Sequence, residues 1–487
     1  MKILWVDDEI EGFKPHIIFL QKEGVQVEAV DRPTDAIEAL KREGFDLILI
    51  DYRMPEMDGL SLFREVKKIA PNTPVALVTM VSDRDVMEES ISEDVFDYLL
   101  KPIQPSQILA LVNRLRAKEI KNRVYGKRLV ETYRKFEELD ESPEGWLSFA
   151  LEFARMTSNF GLDETLRSEL RTTNLKFARW IMRNYADMIH DPDILMSHRV
   201  MSKVFPYLDD GKKIAFFLFD NFRLDQFVEL MKELPSGMRI DYTPYYALLP
   251  TATPFARNGI FAGLLPIDIE RRHPGWTSDN RHEHVLLREL LNDSGYTWAD
   301  MWLYKIRTPT ELASVYPHDK HFEAYVVNFI DLLSHIRLEV DVLKEMIADG
   351  DSFKHWCRFI LDEAGIGSII RKFVENGYVV FMTSDHGWVE GTTPLIIKGG
   401  IELTQGLRYK FGDSVRIAGK EALLIKELEK FGLPRKKNAG RLALAIGYSY
   451  FIYSSNPSKF KKTYHGGIYH GGITIEEMIV PLIKISH

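Results

Sequence analysis

Two sets of polar residues along the chain have the types and spacing needed for chemistry, and the first lies near the N-terminus. Asp7 and Asp8 follow the apolar run ILWV, and Asp51 follows LILI. Thr79 ends the run VALVT, and Lys101 follows YLL. Carboxylates gathered at the carboxyl ends of parallel strands repel one another unless a hard cation shares them, and Mg²⁺ prefers oxygen ligands. This pattern predicts a Mg²⁺ site in which Lys101 and Thr79 can hold an added phosphoryl group.

The second set lies in the C-terminal half. We expect three buried strands to end on Asp220, Asp331 and Asp385. Packing alone does not explain carboxylates at three buried strand ends, so a cation is again indicated. Asp331 and His335 have the i, i+4 spacing that places both on one helix face, and His386 directly follows Asp385.

Further candidates lie in two glycine- or threonine-containing segments. The stretch YHGGIYHGG offers His465 and His470, and LLPTATPFARNG offers Thr251 and Thr253 between a predicted strand and helix. Mixed His and Asp ligands suit Zn²⁺ or Mn²⁺, and two such metals can clamp the attacking and leaving oxygens in phosphoryl transfer. A threonine there either acts as the nucleophile or simply caps the helix.

The elements that must position these residues follow from hydrophobic periodicity. Residues 1–115 alternate short apolar runs with amphipathic stretches, which predicts a five-stranded doubly wound α/β domain. Residues 116–205 consist of long charged amphipathic stretches and are predicted to form a helical linker or bundle. Strand-like runs return at Lys213, so residues 206–487 are predicted to form a second, larger α/β domain.

Composition excludes several protein classes. The chain has 487 residues, of which 45% are hydrophobic and 28% charged, unlike a disordered chain. Its net charge of -8 gives no global reason to expect a polyanion partner. Cys357 has no second cysteine with which to pair, no signal-peptide core opens the sequence, and no apolar run could span a bilayer. We therefore expect a soluble, cytoplasmic protein with no membrane partner.

The segments VDDE, DYRMPEMDG, VT and DYLLKP resemble the receiver domain of bacterial two-component response regulators. The resemblance implies a flavodoxin-like fold, phosphorylation of Asp51 by a sensor histidine kinase, and a homodimer in the phosphorylated state. The residues that it assigns to one Mg²⁺ ion are Asp8, Asp51, Arg53 by its backbone carbonyl and, through water, Asp7. The residues that it assigns to switching are Thr79, Tyr98 and Lys101.

The segments FDNFRLDQ, LPTATPFARN, DLLSH, TSDHG and HGGITIEEMIVP resemble the PglZ domain of the alkaline phosphatase superfamily. This resemblance implies an alkaline-phosphatase-like α/β fold with two Zn²⁺ ions. The ligands that it assigns to the first metal are Asp331, His335 and His470, with His465 left open as the alternative to His470. The ligands that it assigns to the second metal are Asp220, Asp385, His386 and Thr253, with Thr253 rather than Thr251 as the nucleophile.

A receiver joined to a PglZ domain is similar to the PorX-type response regulators, which are associated with type IX secretion. The resemblance implies a zinc-dependent phosphodiesterase that acts on nucleotide or oligonucleotide substrates and is activated through dimerisation. Sulfatases of the superfamily need Cys or Ser where this chain has Thr253, so sulfatase activity is not expected.

Other functions remain open at this point. In one, the C-terminal domain is a platform that recruits a sigma factor or secretion components, with hydrolysis incidental. A DNA-binding regulator has less support, because the basic stretch 114–135 shows no recognition-helix pattern. Residues 266–310, rich in Arg, His and Trp, form either a cap that contacts phosphate and stacks on bases or a solvated insertion.

Overall fold

The computed structural model describes most of the chain and divides it into two compact units, Met1–Leu129 and Val130–His487. The described residues are 1–79, 95–105, 107–109, 111, 112, 115, 134, 136, 138–160, 164–234, 237–337, 340–399, 406–417, 421–435 and 440–487. For residues 98, 100, 159, 160, 164, 165, 233, 341 and 342 the description covers the backbone alone.

The first unit contains a parallel five-stranded sheet built from the apolar runs. Its strands are β1 (Lys2–Val6), β2 (Gln26–Val30), β3 (Leu47–Asp51), β4 (Val75–Thr79) and β5 (Asp97–Leu100). The strand order is β2-β1-β3-β4-β5, and every neighbouring pair is parallel. Its described helices are α1 (Lys14–Lys22), α2 (Pro33–Arg42) and α3 (Gly59–Ile69). The predicted flavodoxin-like sheet is confirmed.

Both faces of this sheet are covered. Along β1, Ile3 and Trp5 belong to one hydrophobic cluster, and Leu4 and Val6 belong to the cluster on the other face. All four side chains are fully buried, and burial of each large apolar side chain stabilises the fold by about 1.5–3 kcal/mol. A register slip would expose or misplace these side chains, so the register that brings the strand ends together is strongly fixed.

The second unit is organised around a mixed six-stranded sheet. Its strands are β6 (Lys213–Phe219), β7 (Arg239–Tyr246), β8 (Met301–Ile306), β9 (Phe322–Val327), β10 (Tyr378–Ser384) and β19 (Ile479–Ser486), in the order β7-β19-β10-β6-β9-β8. β10, β6, β9 and β8 run parallel, whereas β19 is antiparallel to both β10 and β7. The carboxyl ends of β10, β6 and β9 therefore meet at one edge.

Between β10 and β19, the chain forms three smaller sheets. They contain the strands β11 (Val389–Gly391), β12 (Thr393–Lys398), β13 (Tyr409–Gly412), β14 (Arg416–Ile417), β15 (Ala422–Ile425), β16 (Arg441–Ala445), β17 (Ser449–Tyr453) and β18 (Gly467–Tyr469). Of these strands, only β17 was predicted, from the apolar run YSYFIY.

Helices cover the sheet and supply much of the site. The described α-helices are α4 (Pro143–Phe160), α5 (Glu164–Met188), α6 (Pro206–Asp209), α7 (Leu224–Leu230), α8 (Thr253–Ala262), α9 (Pro266–Arg272), α10 (Glu283–Asp293), α11 (Pro309–Ala313), α12 (Phe329–Ile336), α13 (Asp341–Met346), α14 (Gly350–Glu363), α15 (Ile366–Glu375), α16 (Pro457–Tyr464) and α17 (Ile475–Met478). Short 3₁₀ helices span Ile10–Phe13, Ser197–Lys203, Met231–Glu233, Trp276–Ser278 and Leu428–Phe431. Among the described residues, no helix combines the length and hydropathy needed to cross a bilayer.

The prediction that a strand ends on Asp331 is wrong in detail. β9 stops at Val327, and Phe329 and Ile330 begin α12 with their side chains buried in the core. The apolar run therefore combines the end of a buried strand with the inner face of a helix. Asp331 lies in the first turn of α12, where its spacing to His335 still places both residues on one face.

Gly59 provides a test of how tightly the end of β3 is packed. A Cβ atom at this position would lie 2.5 Å from the backbone oxygen of Asp51 and 2.7 Å from Cα of Tyr52. We expect Gly59→Ala to destabilise the first unit by about 1–3 kcal/mol, the usual cost of overpacking. Hydrogen exchange of the β3 amides measures this. Gly12→Ala is the control, because its Cβ would have nothing within 4 Å, and equal effects of the two changes would contradict the prediction.

Candidate functional site

The acidic site of the first unit lies at the carboxyl ends of β1 and β3. The ammonium group of Lys101 lies 3.1 Å from Oδ2 of Asp7 and 3.0 Å from Oδ2 of Asp51. Asp7 and Asp51 are buried, whereas Asp8 is exposed. One carboxylate oxygen from each of these three residues lies within 4.8 Å of the others. The structure therefore brings together the three carboxylates and the lysine that the sequence singled out.

Burial sets the electrostatics of this site. It raises the pKa of Asp7 and Asp51 above the ordinary value, although their hydrogen bonds to Lys101 act in the opposite direction. Burial lowers the pKa of Lys101, but its hydrogen bonds to the two carboxylates outweigh burial and leave the pKa raised. A divalent cation would relieve the remaining repulsion, and the all-oxygen donor set fits Mg²⁺.

The structure gives the positions of Thr79 and Arg53, and the backbone alone of Tyr98. Thr79 is buried at the end of β4, next to the strand that ends in Asp51. Arg53 is exposed two residues beyond Asp51. Tyr98 lies in β5, where its backbone pairs with Leu77 of β4. The side chain of Tyr98 lies outside the described part of the structure. Residues 80–94 also lie outside it, and the predicted homodimer stays a prediction.

The second site begins where β6 and β10 end. Parallel pairing places Phe219 opposite Ser384, so Asp220 and Asp385 leave adjacent strands at the same level. Nε2 of His386 lies 3.8 Å from Oδ1 of Asp220 and 3.8 Å from Oδ2 of Asp385. All three of these side chains are buried, and they offer ligand atoms within 4.8 Å of one another.

Thr253 faces this group. It is the first residue of α8, and its hydroxyl donates to Oδ1 of Asp220 at 3.3 Å and lies 3.4 Å from Nε2 of His386. The N-cap of α8 is Ala252, so Thr253 does not cap the helix. Thr251 has a different role, because its buried hydroxyl donates to the carbonyl of Gly472 at 2.9 Å. Thr251 thus joins the loop before α8 to the segment after His470.

A second group of ligand atoms lies beside the first. It comprises Asp331, His335 and His470, again within 4.8 Å of one another. Asp331 lies 3.3 Å from Nε2 of His335 and 3.6 Å from Nε2 of His470. The rings of His470 and His386 stack with their centroids 4.2 Å apart, so the two groups are neighbours. His465 is exposed and belongs to neither group of the described residues.

The protonation states of Asp331 and His470 suit metal binding, whereas burial raises the pKa of Asp220 well above its usual range. Burial raises the pKa of Asp331, but its hydrogen bond with His335 and the charges of His470 and His386 outweigh burial and hold the pKa well below its usual range. Burial, together with the neighbouring His386, lowers the pKa of His470 to about 3. An ionised carboxylate and a neutral imidazole are the forms that bind metals. The mixed oxygen and nitrogen donors therefore fit two Zn²⁺ ions.

Arg257 is a central residue of this site that the sequence analysis did not identify. Its side chain is fully buried, Nε donates to Oδ2 of Asp385 at 2.9 Å, and Nη2 pairs with Oδ2 of Asp220. Nη1 donates to Oδ1 of Asn328 at 2.8 Å. An arginine among the apolar residues of α8, in the run PFARNGIFA, was the available signal, since a buried charge requires partners.

Asn221 links the two groups of ligands. Its backbone nitrogen donates to Oδ1 of Asp385 at 3.3 Å, and its side-chain nitrogen donates to Oδ1 of Asp331 at 3.0 Å. The residue has a φ of 63°, a left-handed conformation that asparagine tolerates better than most residues. This turn directly after Asp220 allows one residue to orient carboxylates of both groups.

The segment 266–310 is part of the fold rather than a separate insertion. β8 lies within it and forms an edge of the six-stranded sheet. The ring of Trp276 stacks between those of His273 and His282, with both centroid distances 4.0 Å. Asn258 of α8 donates to the carbonyl of Trp276 at 3.1 Å. Both faces of this tryptophan are therefore already covered by histidines, which does not favour Trp276 as a base-stacking platform.

Arg257→Met tests the support that this arginine gives to the ligands. The change leaves Asp220 and Asp385 without their shared cation, so we expect the affinity for Zn²⁺ to fall by about 10–100-fold, as for other outer partners of metal ligands. Zn²⁺ titration followed by elemental analysis measures this. Arg271→Met is the control, because Arg271 is exposed on α9. Unchanged Zn²⁺ affinity of a folded Arg257→Met protein would count against this role.

Comparison with known proteins identifies two domains in this chain. Residues 3–113 match the response regulator receiver domain, and residues 200–485 match the BREX system PglZ alkaline phosphatase-like domain. The transcriptional regulator NtrC of Proteus hauseri is 39% identical over 95 residues, which cover 20% of this chain and 20% of that protein. The cyclic di-GMP phosphodiesterase response regulator RpfG of Xanthomonas campestris is 28% identical over 164 residues, or 31% of this chain and 43% of that protein.

Solved structures of receiver domains are also similar to part of this chain. The receiver domain of the Francisella response regulator 1452 is 25% identical to this chain, with a TM-score of 0.23. The match covers 24% of this chain and 98% of the Francisella domain. The chain spans less than half the length of NtrC and RpfG. The receiver match implies a phosphodonor such as a sensor kinase. Because the PglZ match covers more than half of the sequence, the chain belongs to the PglZ family of alkaline phosphatase-like proteins, here preceded by a response regulator receiver domain.

Proposed function

We propose that this response regulator has a metal-dependent phosphodiesterase as its output. The observation that carries the proposal is the position of the Thr253 hydroxyl, 3.3 Å from Asp220 and 3.4 Å from His386, beside two neighbouring groups of metal-ligand atoms. A threonine is a weak nucleophile unless its hydroxyl is activated. Metal ions bound by the neighbouring ligands would supply that activation.

Two Zn²⁺ ions are the proposed cofactors of this site. Asp331, His335 and His470 would hold one ion. Asp220, Asp385, His386 and Thr253 would hold the other. Such a pair supplies Lewis-acid stabilisation of the attacking and leaving oxygens in an in-line displacement.

The chain's own residues account for the covalent steps. Thr253 loses its hydroxyl proton to water, because the neighbouring Asp220 and His386 would serve as metal ligands rather than as proton acceptors. Its Oγ1 then forms a bond to the diester phosphorus as the bond from phosphorus to one alcohol oxygen breaks, and that oxygen takes up a proton. Water next attacks the phosphothreonine, which releases a phosphomonoester and restores the hydroxyl. Arg257 and Asn221 fix the carboxylates throughout and touch no substrate.

The proposed substrates are nucleotide or oligonucleotide diesters. The relative RpfG is described as a cyclic di-GMP phosphodiesterase response regulator, so a receiver joined to a diesterase has a precedent. The PorX-type resemblance adds a proposed link to type IX secretion, with a sigma factor or a secretion component as a further partner. These assignments rest on resemblance and on the diesterase chemistry of the site.

The receiver is proposed to control this activity. Asp51 would accept a phosphoryl group from a sensor histidine kinase, with Mg²⁺ held by Asp7, Asp8, Asp51 and the carbonyl of Arg53. Lys101 already bridges Asp51 and Asp7, so it is placed to contact the added phosphoryl oxygens. The new charge would shift the receiver towards a dimer-forming conformation, and dimerisation would activate the output domain.

Thr253→Ala tests the catalytic assignment. Since Thr253 is not the N-cap of α8, we expect little loss of stability, but at least a thousandfold loss in the turnover of a generic diester such as bis(p-nitrophenyl) phosphate. The measurement combines turnover with elemental analysis of bound metal. Thr251→Ser retains the buried hydroxyl that bonds Gly472 and should keep nearly full activity. A Thr253→Ala protein that retains its metals and wild-type turnover would falsify the role of Thr253 as nucleophile.

Asp51→Asn tests the phosphoacceptor. The change removes the nucleophilic carboxylate oxygen but keeps the shape of the side chain, so we expect no response to beryllofluoride, whereas the wild type dimerises. Sedimentation with and without beryllofluoride measures this. Asp58→Asn is the control, because Asp58 caps α3 on the exposed side through Ser61. Dimerisation of Asp51→Asn to the wild-type extent would mean that another residue accepts the phosphoryl group.

The platform hypothesis makes a different prediction for the regulatory output of the Thr253→Ala protein. If hydrolysis were incidental, Thr253→Ala would leave the regulatory output of the protein in cells intact while diester turnover disappeared. Loss of both would support the enzyme.

A further inference from the structure

A cavity of about 290 Å³ lies in the second unit, and its lining includes none of the proposed metal ligands. Arg167 and Arg171 of α5 line this cavity together with Lys354 of α14. Arg223 and Trp388 line it from the loops that follow β6 and β10. The cavity therefore brings together cations from helices and loops that are distant in sequence.

The carboxylates of this cavity are each engaged by donors. Glu476 accepts from Asn174 at 2.8 Å and from the hydroxyl of Tyr448 at 2.6 Å. Glu390 accepts from the backbone nitrogen of Gly350 at 2.9 Å. Asp349 caps α14 by accepting from the backbone nitrogen of Ser352 at 2.8 Å. The donors at the start of α14 are thus already used and do not themselves make a site.

The cations are less completely paired. Arg223 is buried and makes two hydrogen bonds to Asp225, at 2.9 and 2.8 Å. Arg167 and Lys354 share the half-exposed carboxylate of Asp351, at 2.6 and 3.0 Å. Among the described residues, Arg171 has no carboxylate within ion-pair distance, and its guanidinium lies over the ring of Tyr448 at 5.9 Å.

We propose that this cavity binds a phosphorylated sugar of the kind found in nucleoside monophosphates, with its phosphate on Arg167 and Arg171. The two arginines are four residues apart on α5 and so lie on one helix face. Their planar guanidinium groups offer pairs of donors that match phosphate oxygens. The proposal goes beyond the proposed hydrolysis and does not depend on it.

The existing ion pair of Arg167 does not prevent binding. The side chains of Arg167 and Asp351 are 36% and 53% exposed, and an ion pair at such exposure contributes little to stability. A phosphate carries more charge than the carboxylate and can contact both arginines at once. Asp351 would keep Lys354 as its partner after the exchange.

The size of the cavity argues for a ligand larger than phosphate. A water molecule occupies about 30 Å³ in the liquid, so a phosphate alone would leave most of the roughly 290 Å³ unfilled. A carboxylate can accept about four hydrogen bonds, so Glu390 and Glu476 keep acceptor capacity for sugar hydroxyls. A sugar phosphate therefore complements both parts of the lining.

The walls connect this cavity to the metal-ligand loops. Arg223 lies three residues after Asp220, and Trp388 lies two residues after His386. The guanidinium of Arg223 lies over the Trp388 ring at 4.9 Å, which ties the two loops together on the side of the cavity. A molecule bound here would contact the loops that carry three of the proposed metal ligands, Asp220, Asp385 and His386, without occupying the metal site.

Calorimetric titration of the full-length chain tests the proposal with three probes, AMP, ribose 5-phosphate and inorganic phosphate. We expect AMP to bind at least tenfold more tightly than inorganic phosphate. Arg171→Gln and Arg167→Gln should each weaken AMP binding at least tenfold, while metal content and diester turnover stay at the wild-type level. Arg179→Gln is the matched control, because Arg179 is exposed on α5 outside the cavity.

Each result decides the matter. Ribose 5-phosphate binding as tightly as AMP would place recognition in the sugar phosphate, whereas weaker binding would add a contribution from the base. No binding of AMP, equal binding of AMP and inorganic phosphate, or wild-type AMP affinity in Arg171→Gln would overturn the proposal. Because these readouts measure binding, they remain valid even if the chain shows no diesterase activity.

Discussion

The C-terminal site depends on the ion pairs that the buried guanidinium of Arg257 makes with Asp220 and Asp385. Asp220 and Asp385 leave adjacent parallel strands and are forced to lie side by side. Two ionised carboxylates removed from water repel each other, and a buried charge is tolerated only when it is paired and hydrogen-bonded. Arg257 contacts an oxygen of each, and its remaining nitrogen bonds Asn328. The other carboxylate oxygens are left facing Thr253 and Asn221, where the chemistry is proposed to occur.

In the receiver, the repulsion between two buried carboxylates is relieved by a lysine instead of an arginine. Lys101 bridges Asp7 and Asp51 much as Arg257 bridges Asp220 and Asp385. Lys101 is 16% exposed on a flexible stem, whereas Arg257 is fully buried and planar. A compact ammonium can move to follow an added phosphoryl group, and a rigid guanidinium holds its partners in one geometry. The choice of cation thus suits a switch in one domain and a fixed scaffold in the other.

The sequence predicted the ligands better than it predicted the elements that carry them. Strand ends and i, i+4 spacing identified the groups that the structure brings together, since parallel strands must meet at one edge. Asp331 was misplaced because periodicity cannot separate the end of a buried strand from a buried helix face. His465 and His470 share one local sequence, and only the fold separates an exposed side chain from one beside Asp331. Arg257 was missed because its partners come from distant segments.

The helix α5 lies in the region predicted to be a helical linker or bundle, and its buried contacts bear on control. The sequence suggested a linker or bundle, yet α5 is built into the second unit through buried hydrogen bonds. Asn174 donates to Glu476 at 2.8 Å and accepts from the backbone nitrogen of Ile475 at 2.8 Å. The hydroxyl of Tyr185 accepts from the backbone nitrogen of Leu249 at 2.8 Å, just before the loop that carries Thr253. Leaving such buried groups unpaired costs about 1–3 kcal/mol each, so α5 cannot shift without moving the loops of the site. A signal that displaced α5 would therefore be transmitted towards Thr253 and His470 through the hydrogen bonds that Asn174 and Tyr185 of α5 make.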